Sequence, residues 1–369
     1  ARGLLNKAIE LDDNLISAKN LLGWTYSEMG NYDEAMEIYT AALKQAEKLG
    51  DKAGMGASLN NIGMVHSARR GIDIALGYYE RSLAIREEIG DKCGMGISLH
   101  NIGGIHSVKG NYEKALGYLR RALVIAEELG DKSRIGFCLG CIGGVHDYKS
   151  NYDTALDYYE NALAIAEELG DTNGIGRNIF VIGNVYLNKG DSEKALDCYC
   201  RSLGIHDKLG DKPRIKYSLY NIGIVHAIKG DSEKALDYFG RSLSICGELG
   251  DKYGMGGNLN SIGAEHYYTG DYNKAAEHLE KSLAIQKEIG LKGLELFTTT
   301  YLYLSYKHLG KDYDVKEIHS LIKDAEDIEF EVNYALYELI EDKSYLEAAY
   351  NQVQDKASAM DDGKKYLSY

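Results

Sequence analysis

The sequence predicts an all-α solenoid of stacked helix-turn-helix units, and three observations carry that reading. A Leu-Gly-Asp or Ile-Gly-Asp string returns every forty residues, at Gly50-Asp51, Gly90-Asp91, Gly130-Asp131, Gly170-Asp171, Gly210-Asp211 and Gly250-Asp251. In the same register stand Gly63, Gly103, Gly143, Gly183, Gly223 and Gly263, then Ala75, Ala115, Ala155, Ala195, Ala235 and Ala275, so six units fill 51–290 without an insertion or deletion. Each unit holds two stretches of helical period and no strand-like alternation. A unit so short cannot bury its apolar face alone, which is why repeats of this kind stack.

The elements follow in chain order. Residues 1–11 read as the end of a truncated preceding repeat, a second helix without its first, and the chain is expected to begin inside a larger array. Repeat 1 occupies 12–50. Within 51–90, Leu59, Ile62, Gly63 and His66 mark the first helix, and Ile74, Ala75, Tyr78, Tyr79, Leu83 and Ile85 mark the second. Asp51 is placed to cap the first helix, Arg70-Gly71 to turn the chain, and Gly90 to end the second in a left-handed C-cap. The single proline, Pro213, falls just inside a helix start, where its missing N–H costs nothing. A weaker unit occupies 291–327, with Leu304, Tyr306, His308, Gly310 and Tyr313 on the pattern. Residues 328–369 lose the motif but keep helical patterning, as a C-terminal cap should.

Composition narrows the function. A formal charge of -14 over 369 residues disfavours nucleic acid. No run of eighteen apolar residues and no signal-peptide pattern occurs, so a membrane is not expected as a partner. Six cysteines scattered through the chain fit free thiols in a reducing compartment, which predicts a cytoplasmic protein.

Leu59, Ile62-Gly63, His66, Ala75, Tyr79 and Ser82-Leu83 fall on the signature positions of the tetratricopeptide repeat, which the chain resembles over nearly its whole length. The turn glycine of that family is matched by Gly110, Gly190, Gly230 and Gly270, with Arg70 and Ser150 in its place in two units. The usual terminal proline is replaced by Glu87, Glu127, Glu167, Asp207, Gly247 and Lys287, and each unit is about six residues longer than the family's common length. The forty-residue form is similar to the repeats of Pins/LGN-type polarity adaptors and to the arrays of bacterial multidomain signalling proteins. The resemblance implies a right-handed superhelix with the first helix of each pair lining a concave groove.

On that implication, Asn60, Asn61, Met64, Ser67 and Ala68 face the groove, and later units read the same way bring Phe137, Tyr148, Phe180, Tyr217, Tyr220, Tyr267, Tyr268 and Phe297 to it. One end is expected to be polar and the other aromatic. Arg134, Arg177, Arg214 and Lys216 add positive charge suited to a carboxylate-bearing peptide. In peptide-binding members of the family an asparagine two residues before the helix glycine holds the ligand backbone; here Asn61, Asn101 and Asn221 take that place, interrupted by Cys141, Val181 and Ser261. The aromatics have two readings, a partner site or packing between helices. The expected site centres on Phe180, Tyr217 and Tyr220 with Arg177 beside them.

Catalytic and metal motifs dissolve into the repeat. His66, His106, His146, His226 and His266 recur at one position, about 10 Å apart in neighbouring units, too far for shared metal ligation. Cys138-x-x-Cys141 has chelating spacing but no second pair, and Cys198 and Cys200 point to opposite sides of a helix. No cofactor, metal or catalytic residue is expected. The sequence therefore predicts a non-enzymatic interaction module that binds a peptide or protein in its groove, with a linked effector domain outside this stretch. The alternative is a sensor for a small peptide or metabolite that controls such a domain.

Overall fold

The computed structural model describes residues 2–12, 14–325 and 328–358. Among them the chain forms α-helices and no strand. The helices are α1 (Arg2–Leu11), α2 (Ile16–Ser27), α3 (Tyr32–Leu49), α4 (Lys52–Ala68), α5 (Ile72–Ile89), α6 (Lys92–Val108), α7 (Tyr112–Glu128), α8 (Lys132–Tyr148), α9 (Tyr152–Leu169) and α10 (Thr172–Asn188). They continue with α11 (Ser192–Leu209), α12 (Lys212–Ile228), α13 (Ser232–Leu249), α14 (Lys252–Tyr268), α15 (Tyr272–Ile289), α16 (Lys292–Leu309), α17 (Val315–Asp324), α18 (Phe330–Ile340) and α19 (Lys343–Ser358). The even helices α2 to α16 are the first members of their pairs, here called A helices, and the odd helices α3 to α15 are the B helices. The chain divides into two compact units, Ala1–Asn178 and Ile179–Tyr369.

Local chemistry sets the helix ends. At α4, α6, α8, α12 and α14 the preceding aspartate accepts the N–H three residues on, from Asp51 to Gly54 at 2.9 Å through Asp251 to Gly254 at 3.0 Å. The B helices α3, α5, α9, α11, α13 and α15 end on glycines with φ between 65° and 69°. The A-to-B turn also needs a left-handed residue, and Arg70 and Ser150 supply it at φ 60° and 58° where other units use glycine. A side chain in that region costs about 1–2 kcal/mol. Arg70→Gly and Ser150→Gly are therefore each expected to raise the unfolding free energy by about 1 kcal/mol, as a rightward shift of the urea midpoint at constant slope.

The pairs lock through one close approach. At Gly223 an added Cβ would stand 2.6 Å from the ring of Phe239, so α12 and α13 touch there as no other residue would allow. Phe239 is 1% exposed, and Tyr39, Tyr79 and Tyr199 hold the same place in their pairs. Beside it, Ser82, Ser242 and Ser282 on the B helices donate to the A-helix carbonyls of Gly56, Lys216 and Gly256. Successive pairs then stack through shared clusters such as Tyr79 with Ile102 and Ile105, and Tyr199 with Ile222 and Val225.

In the second unit α16 is enclosed nearly all round, with Thr298 to Ser305 buried. Its outer side is covered by α17 and α18, whose Ile318, Val332, Ala335 and Leu336 join its core, and α19 packs on α18. Of the stretch expected to form a cap, 328–369, the part 359–369 lies outside the described residues, as do 326 and 327 of the unit before it.

Candidate functional site

Each A helix carries a row of side chains turned away from its own B helix, spaced four, four, three and four residues as the 3.6-residue turn requires. On α4 the row is Ala53, Ala57, Asn61, Met64 and Ala68, while Leu59, Ile62 and Val65 on the other side are buried. Forty-residue steps extend it through α6, α8, α10, α12 and α14. Six helices with five places each give thirty places, and only Arg177 among them is charged, in a chain that is 27% charged. Phe137, Tyr148, Tyr217, Tyr253 and Tyr268 on this row are 49%, 72%, 54%, 55% and 62% exposed. In each unit the exposed side of the A helices is thus nearly uncharged and carries open aromatics, Phe137 and Tyr148 in the first and Tyr217, Tyr253 and Tyr268 in the second.

The acids lie elsewhere, largely on or beside the B helices and paired at a fixed spacing of 36 residues. Lys92 reaches Glu128 at 2.8 Å and Lys212 reaches Glu248 at 2.6 Å within a pair, while Lys109 reaches back to Asp73 at 2.6 Å between pairs. Such exposed pairs contribute little stability. Their consequence is a segregation of charge away from the A-helix face.

In the first unit, Asn61 and Asn101 are half-buried and donate to Asn20 and Asn60 of the preceding A helix at 3.3 and 3.0 Å. These amides already brace the stack. Asn60, expected in the groove, is 4% exposed and sits between two A helices, because this helix side faces the next pair instead of solvent. The same place in α6 holds His100, whose ring lies 4.5 Å from that of Phe137. Tyr148 stacks at 6.4 Å on Tyr112 with its outer face open. Arg177 is half-buried, and its charge draws on the Cys141 thiol, which burial pushes up to about 12.

In the second unit, Phe180 rests 5.5 Å from Tyr199, and Tyr220 lies 5.4 Å from Phe239 with its hydroxyl 3.0 Å from Ser261. Both occupy the inter-helix place of Asn60, so their rings are packing groups first. Tyr220→Ala is expected to disturb the fold as well as any binding. Asn221 donates to Asn184 at 3.1 Å. Tyr217 is open, with the Lys216 amine 4.4 Å from its ring centre. Tyr267, Tyr268 and Phe297 gather round the buried Tyr301, with Phe297 4.6 Å from it.

Two expectations need correction. The positive cluster is largely neutralised: Arg134 and Arg214 pair with Asp131 at 3.3 Å and Asp211 at 3.4 Å, and Lys216, 7% exposed, pairs with Asp251. The polar end is also not simply polar. On α2, Leu21 and Trp24 are 50% and 46% exposed and, with Leu15, Ala57 and Asn61, line a depression of about 630 Å³. Trp24 lies forty residues before Met64. Carrying the register back from 51–90 into 12–50 would have placed it on the same face.

The repeated histidines are ring-stacking groups. His66, His106, His146 and His226 lie 5.4–5.6 Å from Tyr78, Tyr118, Tyr158 and Tyr238 at 5–9°. Arg81, Arg121 and Arg241 cover three of those tyrosines. Burial holds His106, His146, His226 and His266 below the usual imidazole range, and with Arg134 nearby brings His100 to about 4. A histidine kept neutral in the folded state contributes stability present above the unfolded value, about 6.5, and lost as pH falls through it. The melting temperature is therefore expected to fall between about pH 6.5 and 4.5, before the carboxylates titrate, and replacing His106 and His226 by phenylalanine is expected to flatten that slope.

All six cysteines are free thiols. Cys138 is pushed up to about 11 by burial, which keeps it protonated and unreactive. Among the described residues, no group of three or more His, Cys, Asp or Glu side chains is placed to hold a metal ion. Among them, too, no helix is long and apolar enough to cross a membrane.

A family model described as the tetratricopeptide repeat matches residues 14–88, 94–168, 135–208 and 214–288, more than half of the chain. The chain is similar in structure to a Rap protein complexed with competence and sporulation factor, at TM-score 0.65 and 16% identity over 95% of this chain and 99% of that one. It is similar to aspartyl phosphate phosphatase F from Bacillus subtilis, at TM-score 0.59 and 16% identity over 94% of each chain. A signal transduction ATPase with numerous domains carrying a tetratricopeptide repeat sensor, from Pyrococcus horikoshii, aligns at TM-score 0.57 and 18% identity over 89% of this chain and 50% of that one. Identities this low speak to fold alone. None of the curated protein sequences matches the chain.

Proposed function

Because the chain belongs to the tetratricopeptide-repeat family, we propose that it is a non-catalytic protein-interaction module of a signalling protein, binding a peptide or protein partner on its A-helix face. The observation that carries this is the near-absence of charge along that face, together with five exposed aromatic rings, in an otherwise acidic and charge-rich chain. Open aromatic side chains are where interface energy concentrates. A neighbour of the same fold is complexed with a competence and sporulation factor, which supports a ligand-binding use of such an array. The free thiols fit the cytoplasm. Repeats at 12–50, through the six units of 51–290, to 291–327 supply the surface in this reading, and an effector domain outside this stretch would carry the output.

The tetratricopeptide repeat sensor of the Pyrococcus horikoshii protein favours a second reading, a sensor for a small peptide or metabolite. A sensor compacts on ligand addition, and small-angle scattering of the free and bound chain separates the two. For the leading reading, the test is a titration of the partner against Tyr217→Ala. Loss of an exposed aromatic anchor is expected to cost about 2 kcal/mol, roughly thirty-fold in affinity, with helicity unchanged. Unchanged affinity for Tyr217→Ala together with Phe137→Ala would place the partner elsewhere.

A further inference from the structure

On α4 the exposed row begins with Ala53 and Ala57, where α14 carries Tyr253 at the first place and α8 and α12 carry Phe137 and Tyr217 at the second. These small side chains line the depression of about 630 Å³ between α2 and α4, whose α2 wall is made by Leu21 and Trp24, both half-exposed. Apolar walls alone select no occupant. The polar group among them does.

Asn20 lines the same depression and is 7% exposed. Its Oδ1 is used twice, accepting from Ser58 Oγ at 3.1 Å and from Asn61 Nδ2 at 3.3 Å. Its Nδ2 is buried and, among the described residues, has no acceptor. Repeat packing leaves that donor over, and a buried N–H without an acceptor costs its full desolvation, which is why such groups are almost always paired. An occupant of the depression can bring the acceptor. Charge decides which kind: among the described lining residues only Asp51 is charged, and its Oδ1 already accepts the Gly54 N–H at 2.9 Å. A carboxylate brought to Asn20 would share a depression emptied of water with that aspartate, whereas a neutral amide carbonyl meets no such repulsion.

We propose that this depression binds an uncharged apolar segment of a partner peptide, with an aliphatic side chain resting on Leu21 and Trp24 over the alanines of α4, and a backbone carbonyl of the same segment accepting from Asn20 Nδ2. The carbonyl completes the amide's hydrogen bonds, and the side chain removes half-exposed leucine and indole surface from water.

The inference rests on the reading of the exposed side of the A helices as a binding surface, but its test needs no identified partner. Trp24 is the single tryptophan of the chain, so its fluorescence reports on this depression alone. Acetyl-leucyl-leucine amide, acetyl-seryl-serine amide and acetyl-leucyl-leucine as the free acid are titrated into the whole chain. A saturable blue shift is expected with the leucine amide, and about tenfold weaker binding with the serine peptide and with the free acid. Asn20→Asp keeps an oxygen for Ser58 and Asn61 and removes the donor; it is expected to weaken the leucine amide by about tenfold or more. Leu21→Ser, on the exposed side of α2, is expected to weaken it by about fivefold with helicity unchanged. Absence of a saturable shift, equal binding of the serine peptide or of the free acid, or full affinity in a folded Asn20→Asp or Leu21→Ser protein would overturn the site. Those outcomes would leave the protein-interaction reading standing, since Tyr217 and Phe137 report on it separately.

Discussion

Phe239→Ala is expected to remove about 3–5 kcal/mol of stability, the usual cost of emptying a fully buried aromatic site. Phe239 is 1% exposed and wedged against Gly223, where no backbone movement can refill the space without breaking the α12–α13 approach. In a linear array contacts join neighbouring pairs only, so the loss should be local at first. Amide exchange is expected to quicken in α11 to α14 while α4 to α7 keep their protection. Uniform loss of protection along the chain would mean that the array unfolds as one cooperative body.

The second large effect concerns Lys216. Where α4, α6, α8, α10 and α14 carry a glycine, α12 carries this lysine, 7% exposed, with its amine on the Asp251 carboxylate of the next pair. Burial works against both charges, but their contact prevails, so the Lys216 ammonium is held above its ordinary range and Asp251 below its own. Removing one partner of a buried pair strands the other; because Asp251 keeps some solvent and the Gly254 N–H, Lys216→Met is expected to cost about 2–4 kcal/mol instead of the full value. The sign with pH is fixed. A depressed aspartate contributes stability above its unfolded value, about 3.9, and loses it as pH falls through the folded one. Lys216→Met should therefore melt lower at pH 7 and differ less from the parent in acid. A constant difference across the acid limb would show that the pair is not the cause.

Helix order and ends were legible because their determinants are local. Asp251 caps a helix and Gly250 ends one through contacts within a few residues, and the period repeats those signals. Faces were legible only in part. Periodicity places a side chain around its own helix axis, but an inner A helix such as α4 has four neighbours, its own B helix, the previous B helix and the A helices on either side. Asn60 falls between A helices, and Phe180 and Tyr220 rest on Tyr199 and Phe239 of their own B helices, so the expectation that they line a groove took a place beside the buried stripe for exposure. Phe137, Tyr148, Tyr217 and Tyr268 lie a little further round and are open. Charge pairing was invisible for a similar reason: Lys216 and Asp251 are 35 residues apart, and only the stacking distance joins them.

Partners are expected to meet the A helices on their exposed side. A photo-crosslinking phenylalanine analogue introduced at Tyr217 on α12, and in a separate protein at Glu233 on the outer turn of α13, would be irradiated in the native lysate. Both positions are exposed and both lie in the same compact unit. A discrete adduct from position 217, competed by unmodified chain and absent from position 233, is the predicted result; an adduct from position 233 with none from 217 would contradict it.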